Sequence, residues 1–435
     1  MYSTLAAPAA DSQLHLPVIQ KLSNGLTLIV EQTPVEAVNL SIWLGIGSAV
    51  ESESINGLAH FLEHMIFKGT AEIPCGEFER ALEARGAVTN AATSQDYTHY
   101  YVTAAPQDFA TLAPLQIELL INSSLAADAF ERERPVILEE IRRSEDNVRR
   151  RNFYRFTELV FDHLPYRRQV LGSADVIANL TVEQMRTFHR SWYQPPHMTA
   201  VAVGNLPAET LAEIATESFE QALERQTDTQ PLASAAATPA AYPPEPPFSQ
   251  IRRLHYADKA LRQARLIMCW RVPGMDNLPQ TYALDVIASV LGQGRTSRLV
   301  RELREERQIV DGIMASNMSY RQQGLFSISA QLPAEHLPSV EESIVSQIAR
   351  LQTEPIAIAE LQRIQTQVAN RYIFGSETPS DRAGLYGYYH ALTGDISHAL
   401  SYPASIRAIT LDELQQAARQ YLSPEAYAIM TVVPE

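Results

Sequence analysis

The sequence contains little cysteine and no long apolar run. Cys75 and Cys269 are the only cysteines among 435 residues. A secreted disulfide framework has more, so we expect two reduced thiols, with Cys75 as a small buried thiol. No apolar segment reaches the length that spans a bilayer, and residues 1–17 lack the basic start and apolar stretch of a signal peptide. These absences predict a cytoplasmic protein without a membrane span.

Basic residues are also in deficit. Lysine and arginine number 35 against 50 aspartates and glutamates, and the formal net charge is −15. Because phosphate binding requires a basic surface, we expect no nucleic-acid partner. The acidic balance is compatible with a basic peptide substrate, but general solubility accounts for it at least as well. A hydrophobic fraction of 46% is enough for a sizeable folded core.

A segment rich in proline and alanine divides the chain. It covers residues 227–249 and contains six prolines. Proline fixes φ and lacks an amide donor, so neither a central strand nor a long helix fits this segment. We interpret it as an extended linker between an N-terminal domain, residues 1–226, and a C-terminal domain, residues 250–435.

The two sides of this segment carry similar elements in the same order. On each side an alternating, β-prone stretch is followed by a turn and an apolar helical segment, and superposing the two aligns Gly69 with Gly294. The matching stretches are 38–44 and 264–270 for the strand, and 57–67 and 282–291 for the helix. Strand–turn–helix units are common, but we favour a duplicated α+β domain over coincidence.

Other elements follow from residue type and periodicity. Residues 25–30 and 98–103 are predicted strands, and residues 126–161 are a predicted long helix. Pro135 lies inside this helix, so we expect a kink or a helix start close to it.

The motif His60-Phe-Leu-Glu63-His64 contains the residue types of a catalytic metal site. On a helix, His60 and His64 share one face and can present two imidazoles to one metal ion, with Glu63 beside that face. Zinc suits imidazole ligands and leaves a coordination position open for water, from which a nearby carboxylate can take a proton. Histidines at this spacing are more often surface or packing residues. The apolar helix around them, however, predicts burial, and buried ionisable groups need partners or a metal.

Catalytic zinc usually has three protein ligands. Glu139 and Glu140 are candidates for the third, because Val136 and Ile137 predict that one face of their helix is buried. A solvated charged face is the alternative, and it stays open for Glu139. Glu133 lies two turns before Glu140, on nearly the same face.

The segment Gly57-Leu-Ala-His-Phe-Leu-Glu-His-Met-Ile-Phe-Lys-Gly-Thr70 resembles the signature of the M16 family of zinc metallopeptidases. The resemblance extends to residues 22–26, 86–93, 131–141, 165–166 and 171–172, and continues more weakly beyond the linker. That family includes pitrilysin and the mitochondrial processing peptidase, and the length of this chain resembles its small two-domain branch. This implies two homologous α+β domains of the LuxS/MPP-like metallohydrolase type, each a mostly antiparallel sheet covered by helices.

The resemblance assigns roles to residues of the first half. It implies that His60, His64 and Glu140 hold one Zn²⁺ ion per chain and that Glu63 is the general base. Glu133 matches a second family glutamate that assists catalysis near the metal.

The resemblance also implies a place for the substrate. Asn90, Ala91 and Ala92 match the edge strand on which family members bind an extended peptide by β-augmentation. For Asn90 the alternative is a plain turn residue.

The second half differs from the first at the metal motif. Asp285, Ala288 and Ser289 align with the two histidines and the glutamate, and they cannot form the same site. Family members that act alone often carry, in this half, an arginine and a tyrosine seven residues apart that hold the substrate. Arg304 matches this arginine, but Asp311 stands where the tyrosine is expected. A carboxylate cannot donate a hydrogen bond to a developing oxyanion.

This departure resembles the zinc-bearing subunits of heterodimeric members. It implies a homologous second subunit that supplies the arginine–tyrosine pair, with a homodimer as the alternative. The whole resemblance implies a zinc-dependent endopeptidase that cleaves short unfolded peptides in a chamber formed with that subunit. A processing enzyme acting on basic presequences is one subtype. A non-catalytic structural or assembly subunit is the other class, but such subunits usually have a broken zinc motif.

Overall fold

The computed structural model describes residues 16–226 and 242–435. Residues 1–15 and 227–241 lie outside the described residues, and with them lie most of the segment tested for a signal peptide and the first part of the predicted linker. The described chain forms two halves, each with one sheet covered by helices. This confirms the predicted α+β fold class.

The N-terminal half contains a six-stranded sheet in the order β1-β2-β6-β3-β5-β4. Only the pair β2–β6 is parallel. Its strands are β1 Val18–Lys21, β2 Thr27–Gln32, β3 Val38–Leu44, β4 Val88–Thr93, β5 Thr98–Ala104 and β6 Met198–Gly204. Its helices are α1 Leu58–Ile66, α2 Glu77–Glu83, α3 Phe109–Asn122, α4 Ala127–Asp146, α5 Val148–Val160, α6 Ala174–Asn179, α7 Val182–Trp192 and α8 Ala208–Glu224.

The C-terminal half contains a five-stranded sheet in the order β7-β11-β8-β10-β9, in which only β7–β11 is parallel. Its strands are β7 Arg252–Ala257, β8 Ala264–Pro273, β9 Gly312–Ser319, β10 Gln323–Leu332 and β11 Ala428–Val433. Its helices are α9 Tyr282–Gly292, α10 Leu337–Thr353, α11 Ile358–Phe374, α12 Pro379–Thr393, α13 Ser397–Ala408 and α14 Leu411–Tyr421, with a π-helical segment at Val300–Glu306.

The strand order confirms the predicted duplication. If β1 is set aside, β2-β6-β3-β5-β4 corresponds strand by strand to β7-β11-β8-β10-β9, including the position of the parallel pair. Gly69 and Gly294, which the sequence aligned, both have positive φ angles, of 97° and 89°. Only glycine adopts this backbone conformation readily.

The long helix predicted over residues 126–161 is two helices. The chain breaks at Asn147, whose backbone is extended and whose side chain accepts hydrogen bonds from the Arg149 and Arg150 amides at the start of α5. The helix start predicted near Pro135 is wrong, because α4 begins at Ala127 and passes through the proline. Proline removes one hydrogen bond inside α4, whereas asparagine is a strong N-cap that ends one helix and begins the next.

The described end of the predicted linker has no regular secondary structure, but it is anchored to both halves. In residues 242–249, Glu245 and Phe248 are buried. Glu245 accepts hydrogen bonds from the amides at 162, 163 and 164, and an oxygen of its carboxylate lies 2.6 Å from a guanidinium nitrogen of the buried Arg271. This part of the chain therefore joins α5 of one half to β8 of the other.

Each sheet is also covered by a helix from the other half. Trp43 on β3 belongs to one buried cluster with Tyr386 on α12, and Val160 on α5 belongs to another with Met430 on β11. At the first contact a Cβ added to Gly387 would lie 2.1 Å from the Trp43 ring, so only glycine permits this approach. All seven residues of β3 are buried as a result.

Three smaller expectations can be compared with the structure. Cys269 is buried on β8, but Cys75 is exposed in the loop before α2, so its predicted burial is wrong. Ile137 is buried, whereas Val136 is 48% exposed and does not belong to the buried face of α4. None of the helices in the described residues has both the length and the apolar character of a membrane span.

Candidate metal centre

The helix that carries the histidines is fixed at its start. Gly57 precedes α1 with φ 99°, and a Cβ there would lie 2.5 Å from the Leu171 carbonyl oxygen. Glu51 is buried and accepts hydrogen bonds from the Gly57 amide at 2.8 Å and the Ala59 amide at 2.6 Å. A carboxylate at this end satisfies amides that have no partner within the helix and complements the helix dipole.

His60 and His64 present their Nε2 atoms to one carboxylate on the neighbouring helix. Each Nε2 lies 3.6 Å from Oε2 of Glu140 on α4. Tetrahedral zinc with bonds of about 2.1 Å separates its ligand atoms by roughly 3.4 Å. All three ligand atoms lie within 4.8 Å of one another. The donor set and its spacing therefore fit a zinc ion.

The environment keeps His60 in the form that can bind a metal. Burial, together with the nearby charges of His64 and Arg150, lowers the pKa of His60 to about 3. A neutral imidazole offers a lone pair, whereas a protonated ring does not.

His64 is oriented from behind by Glu133. Its Nδ1 lies 3.0 Å from Glu133 Oε1, and the Lys68 ammonium lies 2.6 Å from Oε2 of the same carboxylate. Burial raises the pKa of Glu133, but the hydrogen bonds from Lys68 and His64 outweigh it and the net shift is downward. An ionised Glu133 accepts a hydrogen bond from the Nδ1–H group, which leaves the lone pair of Nε2 free to face Glu140.

Glu139 and Glu140 point in different directions. Both oxygens of Glu139 accept hydrogen bonds from Arg142, and one also accepts from Arg143. These bonds lower the pKa of Glu139 to about 2. The adjacent Glu140 faces the histidine pair, so the structure brings only the second glutamate to the candidate centre.

Glu63 lies at the entrance to the centre. Its Oε2 accepts a hydrogen bond from the Thr93 hydroxyl at 2.5 Å, which links α1 to the end of β4. Burial raises the pKa of Glu63, while the Thr93 hydrogen bond opposes that shift. A carboxylate with a raised pKa is suited to general acid–base chemistry near neutral pH.

The predicted substrate residues lie on an open strand. Asn90, Ala91 and Ala92 belong to β4, the edge of the first sheet. In the hairpin turn the Ser94 amide donates a hydrogen bond to the Tyr97 carbonyl. Amides of β4 alternate between pairing with β5 and facing outward, and counting back from Ser94 places the Ala91 amide on the open edge. Asn90 Oδ1 accepts from that amide at 2.9 Å.

These elements surround a cleft of about 590 Å³. In the described part of the chain its walls come from the N-terminal half alone: α1 and α4, the strand β4, the start of α5, and the loop before α6. The start of α5 contributes Arg149, Arg150, Phe153 and Tyr154. The candidate metal ligands, the open edge of β4 and the basic and aromatic side chains of α5 therefore line the same cleft.

Comparisons with known proteins agree with this arrangement. The sequence profile "Insulinase (Peptidase family M16)" matches residues 26–173, and "Peptidase M16 inactive domain" matches residues 179–368. The chain belongs to the M16 peptidase family. An uncharacterized zinc protease of Mycobacterium tuberculosis is 28% identical to this M16 protein over 96% of the chain and 93% of the relative.

Two solved structures have the same fold as this M16 chain. The crystal structure of a protease from Helicobacter pylori has a TM-score of 0.87 and 26% identity, over 97% of this chain and all of that one. The periplasmic protease PqqL from Escherichia coli has a TM-score of 0.81 and 19% identity, over 97% of this chain but 48% of PqqL. The latter shows the fold alone, in a chain about twice as long.

The second M16 domain has no histidine at the matching helix. Asp285 on α9 accepts hydrogen bonds from Asn317 at 2.9 Å and Tyr402 at 2.8 Å. Arg304 is half-exposed in the π-helical segment and lies outside the cleft, and Asp311 is exposed just before β9. The substrate-binding role of Arg304 therefore stays a prediction, and so does the second subunit inferred from Asp311.

Sequence reasoning missed three supporting residues of this M16 site. Thr93 holds Glu63, Lys68 pairs with Glu133, and Glu51 anchors the start of α1. Lys68 lies four residues after His64, in the turn that follows α1, and this closeness in sequence could have indicated its role. Thr93 and Glu51 come from other elements, and no local pattern indicates that they meet α1.

Proposed function

We propose that this chain is a zinc-dependent endopeptidase that cleaves short unfolded peptides. The observation that carries the proposal is the convergence of His60, His64 and Glu140 beside Glu63, at the end of an open strand. Membership of the M16 family supports it, and so do the names of its relatives as zinc proteases.

One zinc ion per chain would be held by His60, His64 and Glu140. When bound at such a site, zinc polarises a peptide carbonyl and lowers the pKa of a water molecule. Glu133 and Lys68 keep the His64 ring in the orientation and tautomer that this requires.

Glu63 is the proton carrier in this proposal. Thr93 occupies its Oε2, so Oε1 takes a proton from the attacking water and later delivers it to the leaving amine. Burial raises the pKa of Glu63, which favours its holding the proton between these two steps. The outward amide of Ala91 binds the backbone of an extended peptide after displacing the Asn90 side chain.

The chamber requires a second subunit in this proposal. All described residues that line the cleft belong to the first half, so the described C-terminal half contributes no side chain to its walls. We propose a homologous, non-identical M16 subunit that supplies the arginine–tyrosine pair. The double-length fold of PqqL supports a plan of two such units.

Metal analysis and a cleavage assay test the function together. The purified chain should contain one zinc per molecule and cleave short unfolded peptides once its partner, recovered from its own cell, is added. A chain without zinc and without cleavage would favour the non-catalytic assembly subunit. A chain that cleaves equally well alone would contradict the need for a non-identical partner and favour a homodimer or a monomer.

A further inference from the structure

One wall of the cleft is formed by the first turns of α5. Asn147 fixes this helix start by accepting from the Arg149 and Arg150 amides at 3.0 and 3.2 Å. Arg149, Arg150, Phe153 and Tyr154 line the same cleft as the candidate metal ligands. Both arginines and Phe153 are exposed, and Tyr154 is half-buried. Two cationic side chains and two aromatic rings therefore face the space in which a peptide would bind.

The two guanidinium groups differ from the arginines around them. Arg142 pairs with Glu139, and Arg151 pairs with Asp258. Within residues 16–226 and 242–435, neither Arg149 nor Arg150 has a carboxylate partner. A guanidinium group has five donors in a fork that matches a carboxylate, so two such groups in a cleft are available to an anionic side chain.

With a divalent cation bound, charge in the cleft would be opposite in sign to charge on the molecule. The cation would balance the two negative charges of the ligand Glu140 and the base Glu63. Arg149 and Arg150 would then leave the cleft positive, whereas the chain as a whole has a net charge of −15. Because salt screens charges beyond about 8 Å at physiological ionic strength, the side chains lining the cleft decide what binds there.

We propose that Arg149 and Arg150 form a subsite that binds an aspartate or glutamate side chain of the peptide, close to the bond that is cleaved. This rests on the proposed peptidase function. The rings of Phe153 and Tyr154 pack against the methylene groups of that side chain, and the guanidinium groups bind its carboxylate. Acidic peptides are thus the preferred substrates, in contrast to the basic peptides that the net charge of the chain suggests.

A peptide series tests the subsite. Internally quenched peptides that differ only by Asp, Asn or Lys at one position, scanned across the cleaved bond, are compared by kcat/KM. At one position the Asp peptide should exceed the Asn peptide by about three- to tenfold, as expected for charge-assisted hydrogen bonds in a partly solvated cleft. The preference should shrink as salt is added.

Two matched variants distinguish the effect of the arginines in the cleft from the effect of the total charge of the protein. The Arg149→Gln/Arg150→Gln variant should lose the preference for Asp, while Arg132→Gln/Arg143→Gln, with the same charge loss on exposed positions of α4, should keep it. Equal cleavage of the Asp and Asn peptides by the unmodified protein, or a preference that survives in Arg149→Gln/Arg150→Gln, would overturn the proposal.

Binding provides a second measurement that does not depend on turnover. Labelled Asp and Asn peptides are titrated into the Glu63→Gln variant and into the same variant lacking both arginines, with fluorescence anisotropy as the readout. Tighter binding of the Asp peptide only when the arginines are present supports the subsite. If no peptide in the series is cleaved by the unmodified protein with its partner, the peptidase proposal fails, while these binding ratios still decide on the subsite.

Discussion

At the scale of single residues, the site depends on which of two adjacent glutamates faces the histidines. Glu140 faces them, and Glu139 faces Arg142 and Arg143 on the outer side of α4. The two positions differ by one residue, or about 100° around the helix. This makes them a matched pair for mutation.

The Glu140→Gln variant should bind zinc more than about 100-fold more weakly, because losing even the partner of a ligand costs roughly 10- to 100-fold in affinity. Glu139→Gln should bind zinc as the unmodified chain does. Competition with a chromophoric chelator measures both affinities. Equal zinc affinity in the two variants would exclude Glu140 as a ligand.

Glu63 should be needed for turnover and not for the metal. Replacing it with Gln removes the proton acceptor, so kcat should fall by about 10² to 10⁴ while zinc content stays at the unmodified level. Steady-state peptide cleavage and elemental analysis of the same sample give both values. Retained turnover would rule out the proposed role of Glu63 as base.

At the scale of elements, β4 pairs with the sheet along one edge and is proposed to bind the substrate backbone along the other. One edge pairs with β5, and the other exposes the Ala91 amide to the cleft. Proline is tolerated on an edge strand where its missing amide would face outward. The outward amide can therefore be removed without breaking the ladder.

Ala91→Pro should raise KM for peptides about tenfold or more, since one backbone hydrogen bond to the substrate is lost, with zinc content unchanged. Ala91→Gly keeps the amide and is the matched control. Kinetics on one peptide with both variants give the comparison, and an unchanged KM in Ala91→Pro would remove β4 from the binding site.

The sequence was informative about elements with strong local patterns. The strand at Val38–Leu44 and the helix after Gly57 were predicted closely, because alternation, glycine and a dense apolar face all agree there. The break at Asn147 was missed because Pro135 was the more conspicuous signal, although asparagine capping decided the outcome. The burial of Cys75 was predicted from residue type alone, and the loop that carries it faces solvent.

The candidate site was predicted as far as its residues stand close in sequence or match a family signature. Thr93 and the arginines of α5 reach the cleft only through the packing of β4 and α5 around α1. Net charge is a sum over the whole chain, so it does not indicate which charges line one cleft.

At the scale of the whole molecule, Asp162 connects the two halves. It follows α5 and accepts two hydrogen bonds from Arg252, at 2.7 and 2.9 Å, and one from the buried Arg271 at 3.0 Å. The Arg252 hydrogen bonds lower the pKa of Asp162 to about 2, well below that of an aspartate in an unfolded chain.

A lowered pKa gives the sign of a pH effect on stability. The contribution of Asp162 is present above about pH 4 and is lost as pH falls toward 2, because the unfolded chain binds the proton more tightly. Asp162→Asn should lower Tm by roughly 2 °C near neutral pH, with a difference that shrinks between about pH 4 and 2. Thermal unfolding across this range measures it.

Asp311→Asn is the control, because Asp311 is exposed and has no ion pair within the described residues. Its Tm should follow that of the unmodified chain over the whole range. A Tm difference for Asp162→Asn that stays constant from pH 6 to pH 2 would contradict the assignment.

The exposed edge of β4 that is proposed to bind peptides can also promote aggregation. Unpaired strand edges recruit strands from other molecules, and fibrils grow in this way. The Asn90 side chain already accepts a hydrogen bond from the Ala91 amide, so this outward amide is satisfied in the resting protein. Any incoming strand must displace the Asn90 side chain before it can accept a hydrogen bond from the Ala91 amide. The asparagine that a substrate would displace therefore also disfavours edge-to-edge association between two molecules of this protein.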